Sequence, residues 1–529
     1  MDMKKPIVIC ISMLVLFVTV FAVTGTKIDN KNTIPYKTLN RWSKTYGGDM
    51  IDWGNCIQQT SDGGYIISGT YGRNAWSLWY CYFYLFKIDA SGNEEWYKTY
   101  GTYDRENVAQ SIKQTSDGGY VIAGYSGIPQ NMDLYLAKID SNGDIVWTRI
   151  FGEPDSFDVG RSVEQTSDGG YIITGETGSF GDGSQNIWLI KIDSDGNEQW
   201  NETFGGTGYD GGNCVKISSD GGYIIVGFSD SYNTDGTTDV WLIKTDSNGN
   251  EEWSKTFGGI DFDEGRSIQK TSDNGYIITG YTYSYGVGGG DIWLIKTDAS
   301  GNELWNKTFG GSDYDEGWCV QQTNDNGFFI TGLYGWGYSQ PDIYTIKTDS
   351  NGNEEWHNIF DNNGAEDVGY YGIQTSDGSY IVSGYTGNYL EEDIDVWVIK
   401  FEGENQPPTI PTIDGPTKGK VGITYDYKFV STNPYGDDVY YIVNWGGCSN
   451  ETHTYGPYPS GEEVTVNHTW NEKGTFTINV KAKDILGAES DWTTLKVTMP
   501  KPKSINNLLQ QLFERFPNVF QILRFLLIL

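Results

Sequence analysis

Apolar and polar residues alternate along most of this chain in short runs of five to nine, the two-residue period of β-strands rather than the 3.6 of helices. Between residues 39 and 402 these runs recur as a unit. In the fifth copy, strand A is expected at Arg266–Thr271, strand B at Tyr276–Tyr281, strand C at Ile292–Thr297 and strand D at Glu303–Phe309. A and B are joined by a turn of the Ser-Asp-Gly-Gly type, C and D by an Asp-to-Asn turn containing Gly, both of which suit hairpins. In strand C, Trp293, Ile295 and Thr297 face one way and Leu294 and Lys296 the other, so both faces are expected to pack against neighbours.

A tryptophan marks each copy: Trp42, Trp96, Trp147, Trp200, Trp253, Trp305 and Trp356, at spacings of 51 to 54 residues. Four short strands per fifty-residue period predict a β-propeller rather than a helical solenoid. Seven A–B–C sets run from Cys56 to Phe401, but the D-type strands begin at Trp42, ahead of the first set, and none follows Val396–Phe401. The strand from Trp42 to Tyr46 is therefore expected to complete the seventh blade, interlocking the two ends of the array and leaving no open edge.

Gly403-Glu-Asn-Gln-Pro-Pro is a linker by composition, spanning 403–408. Residues 409–499 then alternate again, with strands expected at Tyr425–Val430, Val439–Trp445, Glu463–Trp470, Gly474–Ala482 and Trp492–Thr498, a β-sandwich pattern.

Two resemblances follow from these residues. The hairpin that turns on an aspartate into Gly301-Asn-Glu-Leu-Trp305 is similar to the tryptophan-marked blades of quinoprotein-type propellers. That likeness implies architecture only, since no constellation for pyrroloquinoline quinone accompanies it. The run from Val466 to Ser490, with His468-Thr-Trp, Gly474-Thr-Phe, Val480-Lys-Ala-Lys-Asp484 and Gly487-Ala, resembles the signature of PKD (polycystic kidney disease) domains. This implies an immunoglobulin-like sandwich common in archaeal and bacterial surface proteins, which spaces domains or contacts protein and sugar more often than it catalyses. Where that family tends to have Trp-Gly-Asp-Gly, this chain has Trp445-Gly-Gly-Cys448, so a polar or ion-related role for the loop aspartate does not carry over.

The termini differ from both regions. Lys4 and Lys5 precede an apolar run from Ile7 to Val23, an export signal over residues 1–25 or an N-terminal anchor. In residues 504–529, Leu508, Leu509, Leu512, Phe513 and Phe516 share one helical face before Pro517, and a shorter apolar stretch follows. The apolar stretch Val519–Leu529 is too short to span a bilayer as a helix; lying in a membrane interface, docking on a partner, serving as a C-terminal sorting tag or packing on the sandwich are the alternatives.

The formal charge of −34 excludes a nucleic-acid partner and suits cations, neutral sugars or basic proteins. Of six cysteines, Cys56, Cys214 and Cys319 share one repeat position with Ser111, Ser162 and Ser267, so they are expected as small buried side chains rather than disulfides. Lys87, Lys138, Lys191, Lys244, Lys296, Lys347 and Lys400 occur once per copy and are expected to pair blade to blade.

Repetition also sorts the candidate chemistry, because a single site needs something different in one copy. Asp52, Asp158, Asp210, Asp263, Asp315 and Asp367 share the position before strand A, with Asn107 in the second copy. Two alternatives stand: carboxylates accepting backbone N–H groups at a turn, or a ring holding a cation such as Ca2+. Turns such as Asp193-Ser-Asp-Gly-Asn197 begin like a calcium loop, but position twelve is Phe204 instead of Glu, which favours a hairpin turn. The B–C loops vary most and carry Trp76, Trp79, Tyr232, Tyr283, Tyr285, Tyr334, Trp336, Tyr338 and Tyr389. Aromatic rings on variable loops suit sugar faces or protein hot spots, or pack on one another to order the loops.

His357, His453 and His468 have no metal-ligand spacing, and there is no nucleophile elbow or phosphate loop. The expectation is an all-β protein, a seven-bladed β-propeller over 39–402 plus a PKD-type sandwich, exported and binding glycan or protein at the cell surface. The alternatives are a carboxylate-based glycosidase or lyase and a structural envelope component.

Overall fold

The computed structural model describes residues 40–500, apart from 49, 74–80, 103, 129–130, 233–235, 338–339, 389–392, 404–406, 434–437, 447–450 and 486, together with Arg515. The segments expected as export signal and amphipathic tail lie outside these, Arg515 excepted. No helix among the described residues is long and apolar enough to cross a membrane.

The chain is all-β. Strands of the fifth copy run Asp263–Lys270, Tyr276–Thr282, Asp291–Thr297 and Glu303–Phe309, paired antiparallel in chain order. Strand A begins three residues before its expected start, because backbone pairing reaches the aspartate. Four further copies form the same four-stranded sheet, with A strands at Glu106–Gln114, Asp158–Gln165, Asp210–Ile217 and Tyr314–Gln322.

The first and last copies share one eight-stranded sheet. The first set, from Ile51–Gln59 to Glu94–Tyr100, meets the last set, Glu366–Gln374, Tyr380–Asn388 and Asp393–Phe401, through the parallel bridge Ile51↔Ile394. The lone strand Asn40–Tyr46 pairs antiparallel with Asp393–Phe401, setting Ser43 opposite Ile399 and Tyr46 opposite Val396. Trp397 Nε1 donates to Ser43 Oγ at 2.8 Å.

The B and C strands are buried on both faces, which is why they read as near-continuous Ile, Val, Leu and Trp. Most apolar clusters of residues 40–402 draw on two consecutive copies. Ile66, Phe83 and Leu85 of the first copy pack with Ile112, Tyr120 and Ile122 of the second. The last copy's Ile381, Val396 and Val398 pack in the same way with Ile57, Tyr65 and Phe86 of the first. The glycine in mid-strand B is required by close approach: a Cβ on Gly280 would lie 1.8 Å from the Glu264 carbonyl oxygen.

The seven lysines correct an expectation. Each Nζ lies 2.8–3.0 Å from the aspartate of its own sheet's A–B turn, Asp62, Asp117, Asp168, Asp220, Asp273, Asp325 or Asp377. The pairing is within a sheet, because strand C lies beside strand B and its lysine reaches the hairpin that precedes B. Between copies, Lys400 Nζ of the last meets a ring of the first, 5.5 Å from the centroid of Tyr65.

Residues 412–499 form two sheets. Thr412–Asp414, Thr424–Val430 and Val464–Thr469 make one; His453–Tyr458, Val439–Asn444, Gly474–Asp484 and Thr493–Met499 make the other. Tyr427, Phe429, Tyr441, Trp445, Trp470 and Val480 fill the space between them.

Candidate functional site

Strand A carries one irregularity in every copy. The register shifts between Gly54 and Cys56, Ala109 and Ser111, Gly160 and Ser162, Gly212 and Cys214, Gly265 and Ser267, Gly317 and Cys319, and Gly369 and Tyr371. The bulged residues are Asn55, Gln110, Arg161, Asn213, Arg266, Trp318 and Tyr370, and all seven line one cavity of about 230 Å³. A bulge re-aims the side chain it frees from the ladder. Here it turns a position that varies among the copies toward a shared space.

The lining is of two kinds. On the sixth and seventh copies, Trp318 meets Tyr370 edge-on at 5.2 Å, Tyr370 meets Tyr385 at 5.8 Å, and Tyr385 meets Trp53 at 6.1 Å. The remaining copies add amides and guanidinium groups to the lining. Asn55 Nδ2 donates to the Ala109 carbonyl at 3.0 Å and Asn213 Nδ2 to the Gly265 carbonyl at 2.8 Å, fixing both amides across neighbouring sheets. Arg161 is paired to buried Glu176 at 2.9 Å, and Arg266 to Glu316 at 2.7 Å and Glu264 at 3.1 Å. Arg266 also lies 4.7 Å from the Trp318 ring centroid.

Deeper along the A strands, Lys113 and Lys216 both hold Glu164. Burial would raise that carboxyl, but the two ammonium groups hold it down at about 2. A second cavity of about 270 Å³ shares these lysines and is otherwise lined by Gln58, Gln269, Gln321 and Gln374. Cys56, Cys214 and Cys319 are free thiols that border these spaces.

The proposed cation ring does not assemble. Asp52, Asp158, Asp210, Asp263, Asp315 and Asp367 are sealed from solvent, each at the start of its own strand A. Asp210 accepts from the Ser229 hydroxyl, from the Ser231 hydroxyl at 2.6 Å and from the Gly206 N–H at 3.0 Å. Asp263 accepts from Gly259 N–H at 2.9 Å and the Ser284 hydroxyl at 2.6 Å, and Asp315 from Gly311 and Gly335 N–H groups at 2.6 and 2.9 Å. They are loop-closing acceptors, and Asn107 serves similarly through Ser126 and the Cys81 carbonyl. Burial, reinforced by Asp395, raises Asp52 to about 7 despite two backbone N–H donors.

One junction departs from the rest. Where six copies of strand D end in glycine, the seventh-copy junction has Asp361, and its carboxylate lies within 4.8 Å of those of Asp342 and Asp367. Burial and these two neighbours raise Asp342 to about 6. Of the six expected ring residues, Asp367 is the one placed in such a group among the described residues.

The loop aromatics do not converge. Tyr232 packs on Trp241 at 4.9 Å, Tyr285 on Trp293 at 5.2 Å and Tyr334 on Tyr344 at 5.2 Å, each on strand C of its own sheet. Tyr283 stacks on Tyr314 at 5.7 Å. Trp336 is 54% exposed. Trp76, Trp79, Tyr338 and Tyr389 lie outside the described residues. The calcium-like turn is a hairpin cap: Asp193 Oδ1 accepts from the N–H groups of Asp195 and Asn197. His357 bonds to Glu354, while His468 stacks on Trp445 at 4.4 Å in the sandwich core.

The bulged positions were missed in the sequence because attention fell on outer loops. Their signal was there: the third residue after each repeat aspartate differs from copy to copy.

The C-terminal region is thus a two-sheet sandwich with an aromatic core. Residues 421–497 match the family model described as PKD domain, and this part of the chain is a PKD domain. A solved structure similar to it is the PKD domain of an M14-like peptidase from Thermoplasmatales archaeon SCGC AB-540-F20, 53% identical, covering 18% of this chain and 99% of that one, with a TM-score of 0.17. No curated protein matches the chain.

Proposed function

We propose that residues 39–402 form a seven-bladed β-propeller closed by Asn40–Tyr46, and that the chain is an extracellular or cell-surface binding protein. The observation that carries this reading is a single cavity receiving a bulged residue from the A strand of every copy. Seven copies can meet one space in this way if they are arranged around an axis. The circular order of packing, last copy against first, supports the same geometry. The D–A and B–C loops lie at the end of the A strands where this cavity begins, so glycan or protein would engage that face. The PKD domain acts as a spacer or second contact. The basic-then-apolar N-terminus and the −34 charge suit an exported, soluble chain.

A glycan array paired with a pull-down from cell-surface extracts tests the reading. Retention without release of any shortened product is the expected outcome. Saccharide cleavage that disappears in Asp342→Asn or Asp367→Asn would replace binding by a carboxylate-based enzyme.

A further inference from the structure

Resting on that binding reading, we propose that the cavity at the bulged A-strand residues holds one ring of a neutral sugar. A pyranose has an apolar C–H face and a hydroxyl edge, and the cavity offers groups for each. Trp318 and Tyr370 supply aromatic surface, and Asn55, Gln110 and Asn213 supply amides around the same cavity. The amides are set in place beforehand: Nδ2 of Asn55 and of Asn213 is spent on a neighbouring carbonyl, leaving each Oδ1 as an oriented acceptor. Trp318 Nε1 is buried with no acceptor among the described residues, a donor that a sugar hydroxyl would satisfy.

Charge selects against an ionic ligand. Arg161 and Arg266 are neutralised by Glu176, Glu264 and Glu316, and Lys113 and Lys216 both hold Glu164. An added carboxylate or ammonium would enter a balanced site and lose its hydration without a free partner. The volume of about 230 Å³ falls below the roughly 300–1,000 Å³ of drug-sized sites, so one ring fits better than a chain. The bulges give this arrangement its purpose. Each removes one side chain from the ladder in the copy-specific position, at some cost to the sheet.

Isothermal titration of the full chain with glucose, galactose, mannose and N-acetylglucosamine, alongside glucuronate, tests this. We expect at least one neutral sugar to bind saturably, with about tenfold or greater loss in Trp318→Ala, or roughly 1.4 kcal/mol. Gln110→Ala should weaken binding several-fold and carries the test if Trp318→Ala fails to fold, as judged by melting temperature. Leu304→Ala, on an exposed position of strand D, should leave affinity unchanged. Absence of binding by all four sugars, tighter binding of glucuronate, or equal affinity in both cavity variants would overturn the proposal. Glycan or protein retention that survives both cavity variants but is lost in Trp336→Ala would leave the surface-binding function standing while removing this site. A blank array with an empty pull-down would remove both.

Discussion

Two positions on strand A, three residues apart, behave in opposite ways. At the first, six of seven copies have aspartate, sealed from solvent at the start of the strand. At the second, the bulge, the residues are Asn55, Gln110, Arg161, Asn213, Arg266, Trp318 and Tyr370, and they face a common cavity. The repeated position maintains each sheet; the varied one differentiates the space between sheets. Identity across copies therefore reports architecture, and variation at a fixed structural position reports chemistry.

The sharpest way to break this contrast is to mutate both ends. Asp210→Ala removes the acceptor of the Ser229 and Ser231 hydroxyls and one of the two acceptors of the Gly206 N–H. It should cost about 2–4 kcal/mol in thermal or urea unfolding while leaving ligand affinity intact. A loss below half a kcal/mol would mean that the aspartates are not structural.

Next in size is the response to pH. Asp52 and Asp342 have folded pKa values near 7 and 6, above the unfolded carboxylate value, so their contribution is present below about pH 4 and is lost as pH rises through 6 to 7. The turn aspartates Asp62, Asp117, Asp168 and Asp273 are the reverse. Partial burial would raise them, yet lysine and hydroxyl donors bring them to about 2, so their contribution holds above about pH 4 and fades toward pH 2. These exposed groups carry less weight than the buried pair. Melting temperature should thus peak near pH 4 to 5 and decline toward pH 8, and Asp52→Asn should flatten that decline. A curve that rises steadily from pH 5 to 8 would contradict the assignment.

A smaller effect is expected at the odd junction. Asp361→Asn removes a like charge beside Asp342 and Asp367 and should stabilise the chain by about 0.5–1 kcal/mol at pH 7. Destabilisation that appears only when Ca2+ is present would instead show a cation held by the three carboxylates. Smallest of all, Gln110→Ala should change stability by less than about 0.5 kcal/mol, since its contribution lies in the cavity.

Much of this was legible in the sequence. Tryptophan spacing and the unpaired strand at Trp42 anticipated the pairing with Asp393–Phe401. Strands of the sandwich fell within a residue or two of expectation, because alternation is strong where one face is buried. Thr412–Asp414 and His453–Tyr458 escaped notice: the first is three residues long, and the second contains Gly456-Pro457. The lysines were read as bridging blades because a pattern in sequence does not say which turn a side chain reaches. Of the two alternatives for the loop rings, packing is visible at Tyr232 and Tyr285, and the tryptophan each covers, Trp241 or Trp293, lies on the strand after the loop. The bulge was hidden because it is defined by what lies opposite on strand B, which no single strand's pattern records.

The central claim is that the first and last copies join, making the cavity possible. It is tested most directly by a chain beginning at Gly48, melted with and without a synthetic peptide of residues 38–47. The account predicts a large fall in melting temperature for the shortened chain and its recovery, saturable in peptide, when Trp42 and Ser43 are supplied in trans. An unchanged melting temperature, or no recovery with peptide, would show that this strand does not complete the last sheet.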